Sequence, residues 1–156
     1  MGGALLENWK QGDEAFAIVD PFLESAPQGV SLHETRETVA DRRFDVIVAA
    51  IKPQMIDEVM PDYSQMFTQH GYLLSIAAGC SMARLRKVSG GKPVIRVMPN
   101  LPAAIGAGVS ALCASEDAND AQLAHARTMM ERTGTVITVE DEDAIDRFTA
   151  VAGSGP

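Results

Sequence analysis

The amino-acid sequence predicts an α/β fold, a doubly wound and mostly parallel sheet with helices on both faces. Three observations carry that expectation. Short apolar runs alternate along the chain with stretches of helical periodicity, the order that builds parallel sheets from strand–helix–strand units. One run, Val46 to Ile51, is apolar at every position, as suits a strand covered on both faces. Four runs end in turns of small residues or proline, and such sheets bind ligands at the carboxyl ends of their strands.

The elements follow in order. Met1 to Gln11 reads as a helix, with Leu5 and Trp9 stacked at i, i+4 and Gly12 ending it. Ala15 to Val19 is a short strand closed by Asp20-Pro21. After the strand Val46–Ile51, Pro53 suits the first turn of a helix. Ile56, Val59, Met60 and Tyr63 give that helix one buried face, and Pro61 should kink or divide it. Leu73 to Ala77 is the next strand; Ser81 then caps a helix through Lys87, and Ser89-Gly90-Gly91 turns the chain. Val94 to Met98 and Val109 to Ala114 are strands joined by a loop that prolines stiffen. Glu116, Asp117 and Asp120 open a helix ending at Arg132 with Gly134 beyond, charges that match the macrodipole. Val136 to Val139 is the last strand, and a final helix runs from Asp141 to Val151.

Composition bounds the function. A chain of 156 residues with 46% hydrophobic and 22% charged positions suits one soluble domain. A net charge of −8 argues against nucleic acid or an anionic membrane as partner, because both need basic patches. No run approaches the roughly 20 apolar residues of a membrane span. The opening Met-Gly-Gly-Ala-Leu-Leu-Glu has no basic region of a secretory signal. Cys80 and Cys113 sit in apolar surroundings without metal-ligand spacing, so reduced core cysteines of a cytoplasmic protein are expected.

Asp20-Pro21, Lys52-Pro53, Ala78-Gly79 and Met98-Pro99-Asn100 each follow a predicted strand. Ala77, Ala78 and Gly79 are small enough for backbone to approach a flat ring or a ribose, and Lys52 offers a cation to phosphate or ribose oxygens. Each turn alone is an ordinary tight turn, whereas four on one edge point to a nucleotide-binding α/β domain of the Rossmann type. His33, His70 and His125 have no Cys or carboxylate at ligand spacing, so no metal is expected; His125 reads as part of a solvated helix face. The run Glu140-Asp141-Glu142-Asp143 reads as a solvated helix start.

Four segments together carry a resemblance. Ala50-Ile51-Lys52-Pro53, Ser75-Ile76-Ala77-Ala78-Gly79, Val94-Ile95-Arg96-Val97-Met98-Pro99-Asn100-Leu101-Pro102 and the closing Ala152-Gly153-Ser154-Gly155-Pro156 resemble, in order and spacing, pyrroline-5-carboxylate reductases. That family opens with a strand and a turn of the form G-x-G-x-M-G, whose last two positions Met1-Gly2 match. The resemblance implies NAD(P)H as cofactor and hydride transfer to the C=N bond of 1-pyrroline-5-carboxylate, giving L-proline. It implies that Ala50, Ile51, Lys52 and Pro53 line the nicotinamide and ribose side, with Ala77, Ala78 and Gly79 as the next cofactor-facing turn. Met98, Pro99 and Asn100 would lie beneath the nicotinamide, with Leu101 where the family has Thr, and Thr35 would stand near the adenosine. Residues 1–151 would be the NAD(P)-binding domain lacking its first strand. Residues 152–156 would enter a helical domain, absent here, that forms the homo-oligomer and carries most of the imino-acid site, so this chain alone is expected to be inactive.

The residues alone leave open a dinucleotide-binding module without catalysis, or a related imine or 3-hydroxyacid reductase. Asp20, eighteen positions after Gly2, falls where such folds read the adenosine ribose, and with Pro21 it predicts a preference for NADH, since a carboxylate repels a 2′-phosphate. The alternative is that Asp20 caps its own turn. With the first strand lacking, the strands Ala15–Val19 and Leu73–Ala77 are expected to flank a gap in the sheet.

Overall fold

The computed structural model describes residues 1–152 and carries two sheets. After helix α1 (Gly2–Trp9), strand β1 (Ala17–Val19) pairs in parallel with β2 (Ser31–His33). The second sheet has the order β3-β4-β5-β6-β7, formed by Phe44–Ala49, Phe67–Ser75, Val94–Pro99, Gly108–Ala114 and Gly134–Thr138. Every ladder in it is parallel except β5–β6. The mostly parallel α/β reading holds.

Helices cover both faces. Leu5 and Trp9 of α1 join Ala126, Met129 and Met130 of α4 (Asp120–Glu131) over Tyr72, Leu74, Ile95, Val97 and Leu112. The opposite face packs Ile56 of the short α2 (Ile56–Val59) and Leu85 of α3 (Met82–Val88) on Leu73 and Val94. Ile145 of α5 (Glu142–Ala152) seals Ala111 and Cys113. Pro61 divides its helix as expected, standing in the first turn of a 3-10 segment Met60–Tyr63. Ser81 caps α3, its hydroxyl accepting from the Arg84 amide.

Three expectations are corrected. Ser31–His33 is a strand that the sequence hid: three residues with one large apolar side chain show no periodicity, and only pairing with β1 makes them extended. That strand shifts the order: β1, the expected Ala15–Val19 strand, does keep an open edge, but the other open edge belongs to β3 rather than to Leu73–Ala77. Leu73 and Leu74 lie inside the sheet, paired on both sides. Third, α4 starts at Asp120 behind a capping box of Asn119 and Gln122, whereas Asp117 serves the preceding turn, accepting from the Ser115 hydroxyl and from Arg86. The final motif residues, Gly153 to Pro156, lie outside the described residues.

Candidate functional site

Because β3, β4 and β5 run parallel, their carboxyl ends share one edge. Helix α1 begins at that edge. A Cβ built on Gly2 would stand 2.7 Å from the Ala50 Cβ, so only glycine lets the helix start this close to the end of β3. No acidic residue occupies the first turn of α1, which leaves the positive end of its dipole uncompensated. The amide of Ile76 donates to the Ala49 carbonyl, 3.2 Å, and ties the turns after β3 and β4 together. Thus Met1, Gly2, Ala50 to Pro53, Ala77 to Gly79 and Met98 to Asn100 gather along one edge. Asp20 and Thr35 stand at the ends of the small sheet, where the Asp20 amide donates to the His33 carbonyl, 3.0 Å.

Each candidate makes a different contribution. Ala50 and Lys52 are exposed, and the Lys52 ammonium forms no ion pair among the described residues. Ile51 instead packs on the face under α2 and α3. Pro53 opens a 3-10 turn, and its carbonyl accepts from Arg84, whose guanidinium also clasps Asp57 at 2.7 Å. That hydrogen bond holds the Asp57 carboxyl below the usual aspartate range. Ala77 is buried, while Ala78 and Gly79 are exposed. Gly79 has φ +70 with no atom within 4 Å of a built Cβ: backbone conformation, not space, demands glycine there. The Met98 side chain packs against the cluster of Ala111, Cys113 and Ile145. Asn100 turns its Oδ1 to the Val109 amide, 2.9 Å, and so braces its own loop. Asp20 Oδ1 accepts from the Phe22 amide, 2.8 Å, in an Asx turn that leaves its other oxygen unengaged by any hydrogen bond among the described residues.

Three charged or polar groupings escaped the sequence reading. His125, expected on a solvated face, lies half-buried between the Tyr72 hydroxyl, 2.9 Å from Nδ1, and Glu14, 3.2 Å from Nε2. Burial pushes the Glu14 carboxyl up, but hydrogen bonds from Arg132 and His125 bring it net below the glutamate range. Burial and the nearby Glu14 charge push the Tyr72 hydroxyl up. Glu142, expected to be solvated, receives the buried Arg96. The only sequence signal for that pair is an arginine inside an otherwise apolar strand, which demands a carboxylate from elsewhere. Arg84 completes the set, bridging the turn after β3 to α3.

No family model matches the chain. It is 32% identical over 158 residues to a pyrroline-5-carboxylate reductase of Aquifex aeolicus, a match that takes in 98% of this chain and 58% of the relative. The chain therefore spans somewhat more than half the length of that relative. A solved pyrroline-5-carboxylate reductase from Coxiella burnetii superposes with a TM-score of 0.86 at 26% identity, covering 99% of this chain and 60% of the other. The Plasmodium falciparum pyrroline carboxylate reductase, solved with NADP bound, gives 0.82 at 24% identity over 100% and 59%.

Proposed function

Since this chain belongs to the pyrroline-5-carboxylate reductase family, we propose that it forms the pyridine-nucleotide-binding part of an oxidoreductase of proline biosynthesis. The reaction is hydride transfer from NAD(P)H to the C=N bond of 1-pyrroline-5-carboxylate, yielding L-proline. The observation that supports this most is the gathering of three turns and the start of α1 on the carboxyl edge of the main sheet.

The edge suits such a cofactor. When bound, the nicotinamide supplies the hydride. The opening amides of α1 hold the pyrophosphate, helped by a helix end without carboxylates. Lys52 places its charge toward phosphate or ribose oxygens, and Ala50, Ala78 and Gly79 let a flat ring lie against backbone. Asn100, braced by Val109, keeps the loop after β5 beneath that ring. The unengaged oxygen of Asp20 accepts from the adenosine ribose hydroxyls, with Pro21 and Thr35 beside it, so NADH is preferred. The whole protein is a cytoplasmic homo-oligomer that acts on a small imino acid; among the described residues no helix is long and apolar enough to cross a membrane.

The test is turnover by the protein encoded in the full reading frame. Oxidation of NADH that depends on 1-pyrroline-5-carboxylate is the expected result, with none from the 156-residue chain alone; no turnover by the whole protein refutes the reading. A kcat/KM about tenfold higher with NADH than with NADPH is expected from one like-charge contact of a few kcal/mol. Equal values, or a reversed preference, would remove Asp20 from the site.

A further inference from the structure

We propose that Glu142, held by the buried Arg96, is a positioning residue for the turn Ala77–Gly79. This inference rests on the reading of that turn as cofactor-facing. Arg96 lies in the middle of β5 with only 5% of its side chain exposed. A buried guanidinium is retained only where carboxylates neutralise it. Here Glu142 and Asp146, one turn apart on α5, both accept from it.

Glu142 does more than pair. The same Oε1 accepts the backbone amide of Met82, the first residue of α3. Opening amides of a helix have no partner within the helix, and a carboxylate there also meets the positive end of the dipole. Ser81 takes the Arg84 amide, and Glu142 takes the amide of Met82 at the first helical position. Ala77 and Cys80 pack into the core on either side of the exposed Ala78 and Gly79, but the backbone of the turn makes few hydrogen bonds. The Ala77 amide reaches the Ser75 hydroxyl at 3.3 Å, and no amide from Ala78 to Ser81 makes a hydrogen bond among the described residues. Left-handed Gly79 sits inside that stretch. The turn thus runs from β4 at one end to the buried Cys80 and the Met82–Glu142 bond at the other. Arg96 acts through Glu142: it fixes the carboxylate that fixes the end of the turn. Asp146, whose side chain bonds only Arg96 among the described residues, steadies the guanidinium.

The experiment compares NADH with ADP-ribose as ligands of the protein encoded in the full reading frame, by direct titration. Glu142→Ala removes one charge-assisted hydrogen bond, so the Kd for NADH is expected to rise about tenfold. ADP-ribose, which lacks the nicotinamide, is expected to bind as to the parent. Glu142→Gln keeps an acceptor oxygen and is expected to restore NADH binding to within about threefold of the parent. Amide exchange supplies an independent readout: the Met82 amide is expected to exchange faster in Glu142→Ala, and to a smaller extent in Glu142→Gln, while β5 stays protected. If Glu142→Ala does not fold, Glu142→Gln alone decides by its exchange at Met82. Unchanged exchange there, an unchanged NADH Kd, or equal losses for both ligands overturns the proposal. A parent protein that binds neither ligand refutes the proposed function instead, and the exchange arm still tests the tether.

Discussion

Strands β3 and β4 lie side by side and read alike in sequence, yet they live in different surroundings. In β4, Tyr72, Leu73, Leu74 and Ser75 are each at most 2% exposed, with a ladder on both sides and helices on both faces. In β3, Val46, Ile47 and Val48 remain half-buried, and one edge has no partner among the described residues. Phe16, just before β1, and Val46 and Val48 pack on the same buried cluster, yet no ladder joins the two sheets. The contrast teaches that an apolar run specifies a strand that wants cover, while the amount of cover depends on neighbours that the run itself does not encode. An open apolar edge is also the feature that folded sheets ordinarily suppress.

The comparison can be broken most directly by cavity formation. Leu74→Ala is expected to cost about 2–5 kcal/mol, because a sealed site cannot relax around the lost atoms. Val48→Ala in β3 should cost about 1 kcal/mol or less, since its site already meets solvent. Denaturant melts of both variants check this, and equal losses would mean that β3 is as sealed as β4. Gly79→Ala, at the end of β4, is expected to cost about 1 kcal/mol from its left-handed backbone alone, since the space around it is open. A neutral Gly79→Ala would show that the turn relaxes out of that conformation.

The smallest effect concerns the link between the β1 unit and the main sheet. Glu14, on the segment leading to β1, accepts from Arg132 at 2.7 Å and sits beside His125. Its carboxyl is depressed in the folded state, so its stabilisation is complete above the ordinary glutamate range and is lost as pH falls through the folded value. Acid titration of the melting temperature should therefore show a steeper decline in the parent than in Glu14→Gln, by about 1 kcal/mol or less. Identical slopes would remove Glu14 as the link.

These contrasts also explain what was legible in the sequence. The α/β class, the capped helix after Ser81, the division at Pro61 and the grouping of turns at the strand ends all rest on local chemistry, which sequence carries directly. The strand Ser31–His33 rests on a partner, and the antiparallel direction of β6 rests on the whole sheet; neither leaves a periodic trace. Within the candidate site the small turn residues were legible because their smallness is the signal. The Arg96–Glu142 pair was not, since its two halves lie 46 residues apart. His125 was misjudged for the same reason: Glu14 and Tyr72 approach it from distant segments.

The reversed direction of β6 carries a consequence for how the sheet is assembled. Pro99 pairs with Ser110 across a short connection, whereas Phe44 must find Phe67 and Leu73 must find Val94. Those separations are about twice as long, and each doubling adds roughly 0.6 kcal/mol of closure entropy before any contact forms. Among the strand pairings of the main sheet, β5–β6 thus carries the smallest closure cost. The same short connection carries Asn100, so the loop beneath the candidate ring site belongs to the most local strand pairing of the main sheet.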